Sequence, residues 1–131
     1  MTSRIGNTTI DASNAYDQSL WWSQILGMTE DPDDPNEPGH EECLIMSADG
    51  QQRLLFIEVP EGKSVKNRVH FDLRPTDRTR DEEIERVLGL GATVVDDRRN
   101  RDGTGWTVLA DPEGTEFCIL RSDAEVTATR T

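Results

Sequence analysis

Hydrophobic and polar residues alternate without interruption from residue 68 to residue 74, in the run Arg-Val-His-Phe-Asp-Leu-Arg. An alternation with a period of two predicts a β-strand. One face carries the apolar side chains and is expected to pack on helices: Val69, Phe71 and Leu73. The other face is expected to meet water or a polar cavity, since it carries Arg68, His70, Asp72 and Arg74.

Shorter patterns predict two helices and six further strands. Asn14 is typical of a helix N-cap, and Gly27 of a helix end, so a helix is expected through about Leu26. Thr79 and Glu82 have the spacing of a capping box, which predicts a second helix that Gly91 ends. The strands are expected at residues 4–12, 42–48, 53–59, 92–97, 105–110 and 115–121.

Two segments predict no regular structure. Residues 29–41 hold three prolines among many acidic side chains, without the ligand spacing of a calcium-binding loop. A solvated, mobile acidic loop is therefore expected there. Residues 122–131 are expected to form a flexible tail.

The chain contains an internal repeat at an offset of about 63 residues. Leu26-Gly27 recurs as Leu90-Gly91, and the same offset places Asn7 opposite His70. We therefore expect two pseudo-repeats, about 4–60 and 67–121. The predicted fold class is α+β, with two βαβββ-type repeats that form a curved, eight-stranded half-barrel cup with helices outside. A ligand is expected on the concave face.

Length and composition limit the number of domains and the classes of partner that this protein can have. The 131 residues favour a single domain. Lys plus Arg number 14 against 26 Asp plus Glu, a net charge of −12, which argues against nucleic acid and anionic membrane surfaces as partners. Two cysteines make a poor disulfide framework, and we expect no leader or membrane-spanning segment, since neither pattern is found in these residues. We therefore expect a cytoplasmic protein.

Several motifs together resemble one known superfamily. They are Leu20-Trp21-Trp22, Leu26-Gly27, the run Lys-Asn-Arg-Val-His-Phe-Asp-Leu at residues 66–73, Leu90-Gly91-Ala92, and residues 105–118 around Asp111-Pro112-Glu113-Gly114. The chain resembles the vicinal oxygen chelate superfamily, which includes glyoxalase I, extradiol dioxygenases and bleomycin-resistance proteins. It is most similar to the small glyoxalase-like branch. The resemblance implies one glyoxalase-like domain over residues 1–131.

The resemblance also implies where a metal would bind. The four ligand positions of metal-dependent members fall on Asn7, near Ile57, on His70 and on Cys118, and a shift of one residue would bring Glu58 to the second position instead. Of these, His70 alone matches the family, so no metal or other cofactor is expected. The alternative is a divalent metal, bound as zinc by a mixed set of His, Cys and Glu ligands. Strand alternation places Glu116 on the same face as Cys118, where it could join such a set.

Each candidate site residue has a functional and a structural interpretation. His70 and Asp72 are a candidate catalytic pair, in which the carboxylate favours the protonated imidazole and so adjusts the basicity of a general base. The alternative is that polar neighbours merely hold the His70 side chain in place. Arg68 and Arg74 either grip an acidic ligand or pair with Asp72 and the acidic surface. Trp106, like Trp22, either stacks on a planar ligand or packs in a core or interface.

We therefore predict a protein that binds a small polar organic molecule in its cup through Asn7, Arg68, His70, Trp106 and Cys118, without a complete metal site. The alternative is a metal-dependent lyase, isomerase or dioxygenase that uses His70. A structural or partner module is the third hypothesis. A homodimer is expected, with an apolar interface that includes Trp21.

Overall fold

Strands and helices alternate along residues 1–128, which are the residues that this computed structural model describes. The strands are β1 (Thr8–Ala12), β2 (Glu42–Met46), β3 (Arg53–Glu58), β4 (Phe71–Leu73), β5 (Thr93–Asp97), β6 (Thr107–Ala110) and β7 (Glu116–Ile119). The helices are α1 (Ala15–Leu26), α2 (Arg80–Gly89) and α3 (Asp123–Ala128). The α+β class is confirmed. The chain divides into two units, Met1–Gly62 and the part from Lys63 onward.

In the first unit, a three-stranded sheet packs against α1. Its order is β1-β3-β2, with β1 parallel and β2 antiparallel to β3. The Asn14 side chain accepts a hydrogen bond from the Asp17 amide, and Gly27 ends the helix at a φ of 67°. Both predicted helix boundaries are therefore confirmed. Trp22 and Phe56 are fully buried between helix and sheet, which makes Trp22 a core residue rather than a stacking platform.

In the second unit, a four-stranded sheet has the order β4-β7-β6-β5. The β4–β7 pair is parallel and the other pairs are antiparallel. The predicted capping box is present at the start of α2, since the Thr79 side chain accepts from the Glu82 amide and Glu82 accepts from the Thr79 amide. Phe117 and Ile119 are buried on the face of β7 that contacts α2.

The two units share one connectivity. Each runs strand, helix, then antiparallel strands, and in each the first strand pairs in parallel with the last. This is the arrangement that two copies of one unit give, although the repeat itself stays a prediction. Residues 1–128 contain seven strands where eight were expected. The first unit has three because only isolated bridges form between α1 and β2, at Thr29 and between Asp31 and Asp34.

The acidic segment 29–41 is attached to the first unit at several points. Thr29 exchanges backbone hydrogen bonds with Met46 at 2.8 and 3.0 Å. The Asn36 side chain donates to the Leu44 carbonyl at 2.8 Å, and the Asn36 amide donates to the Glu30 carboxylate at 2.7 Å. Its carboxylates are mostly exposed, as the sequence predicted, while its backbone is held against β2.

The alternating run at 68–74 forms a shorter strand than predicted. β4 starts at Phe71, and Val69 is 77% exposed instead of packed on a helix. Phe71 and Leu73 are half-buried. The strand starts late because the Asn67 side chain, and not its backbone, pairs with the backbone of Glu116. It donates to the Glu116 carbonyl and accepts from the Glu116 amide, so no regular strand pairing forms just before Val69.

Two other expectations are corrected. The predicted tail begins with helix α3, whose Glu125 carboxylate accepts from the backbone amides of Ser122 and Arg80, both at 2.8 Å. Residues 129–131 lie outside the described part. Trp21, expected at a dimer interface, is 8% exposed and packs edge-to-face on Trp22 at 5.2 Å. None of the helices within residues 1–128 has the length and apolar character that crossing a membrane demands.

Candidate functional site

One face of the second sheet forms a cavity of about 260 Å³. Asp72 lies opposite Cys118 in the β4–β7 pair, and Cys118 lies opposite Val108 in the β7–β6 pair. Because side chains alternate between faces, residues two apart on each strand join them. The lining residues are Lys66, His70, Asp72, Trp106, Val108, Glu116, Cys118 and Leu120.

Three potential ligand atoms meet in this cavity. Nδ1 of His70 lies 3.2 Å from Oδ1 of Asp72 and 3.9 Å from Sγ of Cys118. The donor atoms of the three side chains all lie within 4.8 Å of one another. His70 and Asp72 are exposed to the cavity, at 42% and 51% of their side chains, whereas Cys118 is 4% exposed. This triad orients the imidazole and can act as a base or hold a cation.

Burial determines the charge of the cysteine. Desolvation, and secondarily the negative charge of Asp72, raises the pKa of the Cys118 thiol to about 11. Without a cation beside it, the sulfur is therefore a neutral thiol at pH 7. A neutral thiol is a poor nucleophile, which argues against a nucleophilic role for Cys118 in this environment.

A buried carboxylate closes one end of the cavity. Glu116 accepts hydrogen bonds from the Asn67 amide at 3.0 Å, from Lys66 at 3.2 Å and from Lys63 at 3.4 Å. The Asn67 bond, followed by the two lysines, lowers the pKa of Glu116. Lys63 and Lys66 are the chain's only lysines. We call Glu116, Asn67, Lys63 and Lys66 the lysine clamp; it places the Lys66 ammonium at the cavity edge.

The structure brings together four of the six predicted site residues. His70, Asp72, Trp106 and Cys118 all line the cavity. Arg68 is exposed and is not among the lining side chains. Asn7 belongs to the first unit, where its side chain donates to Oγ1 of Thr9 at 3.0 Å.

The other residues considered for the site have structural roles. The Arg74 guanidinium donates to the Arg121 carbonyl at 2.7 Å and lies near Asp123, so it acts at the start of α3. Arg74 therefore pairs with groups at the start of α3 and not with Asp72. The pairing partner of Asp72 within this unit is instead His70.

Sequence reasoning missed the lysine clamp and the apolar walls of the cavity. Val108 and Leu120 have the same strand parity as Trp106 and Cys118, so the walls follow from alternation once the strands are aligned. The clamp had a weaker signal, two lysines spaced by three residues in a chain otherwise short of them. Their partner lies about 50 positions away, which no local pattern indicates.

One protein-family model matches most of the chain. The sequence model of the family described as "Glyoxalase-like domain" matches residues 7–120. No curated protein sequence matches this chain.

Solved structures with the same fold come from several bacteria. A fosfomycin-resistance protein, FosX, from Listeria monocytogenes, bound to Mn(II) and 1S,2S-dihydroxypropylphosphonic acid, has a TM-score of 0.70 at 18% identity and covers 99% of this chain and 98% of its own. FosX from Mesorhizobium loti has a TM-score of 0.65 at 15% identity, with coverages of 99% and 100%. A glyoxalase/bleomycin resistance protein/dioxygenase family enzyme from Burkholderia phytofirmans PsJN has a TM-score of 0.65 at 17% identity, with coverages of 89% and 97%. At these identities the likeness establishes the fold alone.

Proposed function

Because this chain belongs to the glyoxalase-like domain family, we propose that it binds a small polar organic molecule in the cavity of its second unit. Membership confirms the resemblance to the vicinal oxygen chelate superfamily. The observation that carries the proposal is the convergence of His70, Asp72 and Cys118 at one open cavity. Cavities for drug-sized ligands measure ~300–1,000 Å³. The volume of about 260 Å³ therefore favours a smaller molecule.

The lining groups favour an acidic or carbonyl-containing ligand. The Lys66 side chain is 72% exposed and carries a positive charge at the cavity edge. His70 supplies a hydrogen-bonding nitrogen, and Val108 and Leu120 supply apolar contact. Trp106 is 43% exposed, so its indole offers a face on which a planar group stacks.

His70 and Asp72 are the catalytic pair of this proposal if the bound molecule is transformed. Asp72 lies close enough to orient the imidazole as a general base. Arg68, exposed beside the cavity-lining segment, and Asn7 of the first unit stay proposed ligand contacts from the sequence. The proposal includes a cytoplasmic homodimer without nucleic-acid or membrane partners. The edge strand β5, with Val94 and Val95 half-exposed, supports pairing between copies.

The second candidate function is a metal-dependent lyase, isomerase or dioxygenase that uses His70. The supporting observation is the three-donor cluster, together with the Mn(II) in the Listeria FosX structure. The four family positions match the metal-dependent pattern at His70 alone, since Asn7 offers an amide and the second position falls near Ile57, or on Glu58 with a shift of one residue. A metal in this chain would need a different donor set, and it would supply Lewis-acid chemistry at a substrate oxygen.

A thermal-shift screen tests ligand binding. Wild type, His70→Ala and His40→Ala are each screened against aldehydes, 2-oxo acids, catechols, planar antibiotics and phosphonates. His40 is the matched control, since its side chain is 45% exposed and it pairs with Glu37 outside the cavity. We expect at least one class to raise the Tm of wild type and of His40→Ala. His70→Ala should lose about 1–3 kcal/mol of ligand-binding free energy, the value of one hydrogen bond with its desolvation.

Two results would contradict the proposal. Equal shifts in wild type and His70→Ala would remove His70 from the site. No shift with any class at millimolar concentration would argue against small-molecule binding in this cavity. The fold itself should survive the substitution, because the His70 side chain is exposed to the cavity rather than packed in the core.

A further inference from the structure

We propose that His70, Asp72 and Cys118 form a Zn(II) site contained within the second unit. This donor set shares only the His70 and Cys118 positions with the family's ligand set, and it uses Asp72 in place of any group from the first unit. The inference deepens the second candidate function by naming its metal and donor set. It does not depend on the binding of an organic molecule, because metal binding is measured without an organic ligand.

The distances fit a tetrahedral metal. Zinc bonds of ~2.0–2.3 Å at tetrahedral angles place nitrogen and oxygen ligands about 3.4 Å apart, and nitrogen and sulfur ligands about 3.6 Å apart. The corresponding distances here are 3.2 Å from His70 Nδ1 to Asp72 Oδ1 and 3.9 Å from His70 Nδ1 to Cys118 Sγ. Shifts of about 0.2–0.3 Å in the donor atoms would therefore bring both His70 distances to the tetrahedral values. The donor atoms of Asp72 and Cys118 lie within 4.8 Å of each other.

Backbone geometry holds the three donors in place. Asp72 and Cys118 lie opposite each other in the parallel β4–β7 pair. His70 directly precedes β4, and its Nδ1 lies 3.2 Å from Oδ1 of Asp72, so both side chains reach the same face of the sheet. A register shift of one residue would send Asp72 and Cys118 to opposite faces, so the sheet register itself assembles the site.

The donor chemistry selects zinc over harder ions. A thiolate and an imidazole suit Zn(II), whereas Mg(II), Ca(II) and Mn(II) favour sites built from oxygen ligands. Three protein ligands with a fourth position open are also the arrangement of catalytic zinc sites. The open position here faces the cavity, because His70 and Asp72 are exposed there while the sulfur is buried.

The protein provides matched controls for each soft donor. The chain has two cysteines and two histidines, one of each in the proposed site. Cys43 is also buried but lies in the first unit, and His40 lies in the acidic segment. Cys43→Ser and His40→Ala therefore remove the same chemical groups from elsewhere, and Asp49→Asn does so for the carboxylate.

The test uses tag-free, chelator-treated protein and two metals. Zn(II) stoichiometry is measured by elemental analysis after equilibrium dialysis, and Co(II) serves as the spectroscopic probe. We expect one Zn(II) per chain and a thiolate-to-Co(II) charge-transfer band in wild type. Cys118→Ser should lose the band, and His70→Ala and Asp72→Asn should each weaken Zn(II) binding at least about tenfold. The three control variants should behave as wild type.

Each contrary result overturns the inference. Less than stoichiometric zinc in folded wild type would exclude the site, and a band that persists in Cys118→Ser but disappears in Cys43→Ser would place the metal elsewhere. Circular dichroism checks folding of Cys118→Ser. If that variant unfolds, His70→Ala and Asp72→Asn decide, since both replace exposed side chains, and unchanged zinc affinity in both overturns the proposal.

Discussion

Gly105 lies where a side chain has no space. Its φ is 93°, and a Cβ built on its backbone would lie 2.2 Å from the Arg98 carbonyl oxygen and 3.1 Å from the Arg99 Cα. The two backbones are held together, because the Arg98 amide donates to the Trp106 carbonyl at 2.8 Å. Gly105→Ala must therefore push apart the β5–β6 connection beside the cavity residue Trp106.

The structure separates two contributions to the cost. A left-handed φ costs a non-glycine residue ~1–2 kcal/mol. The contact with Arg98 is more than about 1 Å shorter than van der Waals contact, and overpacking of this kind costs ~1–3 kcal/mol. Gly103 is the matched control in the same connection, since its φ is 92° and nothing lies within 4 Å of its added Cβ.

Urea unfolding at pH 7 measures both variants against wild type. Gly103→Ala should lower the free energy of unfolding by about 1–2 kcal/mol, and Gly105→Ala by about 2–5 kcal/mol. The difference between the two variants isolates the steric term. Equal losses in Gly103→Ala and Gly105→Ala would contradict this prediction, because they would show that the Arg98 backbone moves away from the added Cβ without cost.

Two further stability predictions concern Glu116 and the start of α2. Glu116→Ala should lower the free energy of unfolding by about 2–3 kcal/mol at pH 7, since it leaves the Asn67 amide and two lysines without their carboxylate. Because the native pKa of Glu116 is lowered, its contribution to stability is present above the ordinary value of 4.5 and is lost as the pH falls through the native pKa. Urea titrations in which wild type and variant differ by the same free energy at pH 7 and at pH 3 would contradict this prediction. Thr79→Ala should lower the free energy of unfolding by about 1 kcal/mol, because it removes the capping box. Thr76→Ala is the control, since Thr76 is exposed and outside the helix, and equal urea midpoints in these two variants would argue against the cap.

Local signals in the sequence determined the elements of this protein. Asn14 and Gly27 bound α1, and Thr79 with Glu82 opens α2, because caps act within one turn of the helix they end. Alternation placed His70 and Asp72 on one face for a similar reason, since side-chain direction along a strand depends on neighbouring residues alone. The family resemblance extended this to the α+β fold.

Long-range packing determines which of these elements meet. The exposure of Val69 and the lysine clamp both depend on Glu116, about 50 residues from its partners, and the His70–Asp72–Cys118 cluster depends on the register between β4 and β7. Many registers are compatible with the same alternating pattern, and a shift of one residue reverses every side chain. The sequence thus specified which groups are available and on which faces, whereas long-range packing determined their partners, distances and burial.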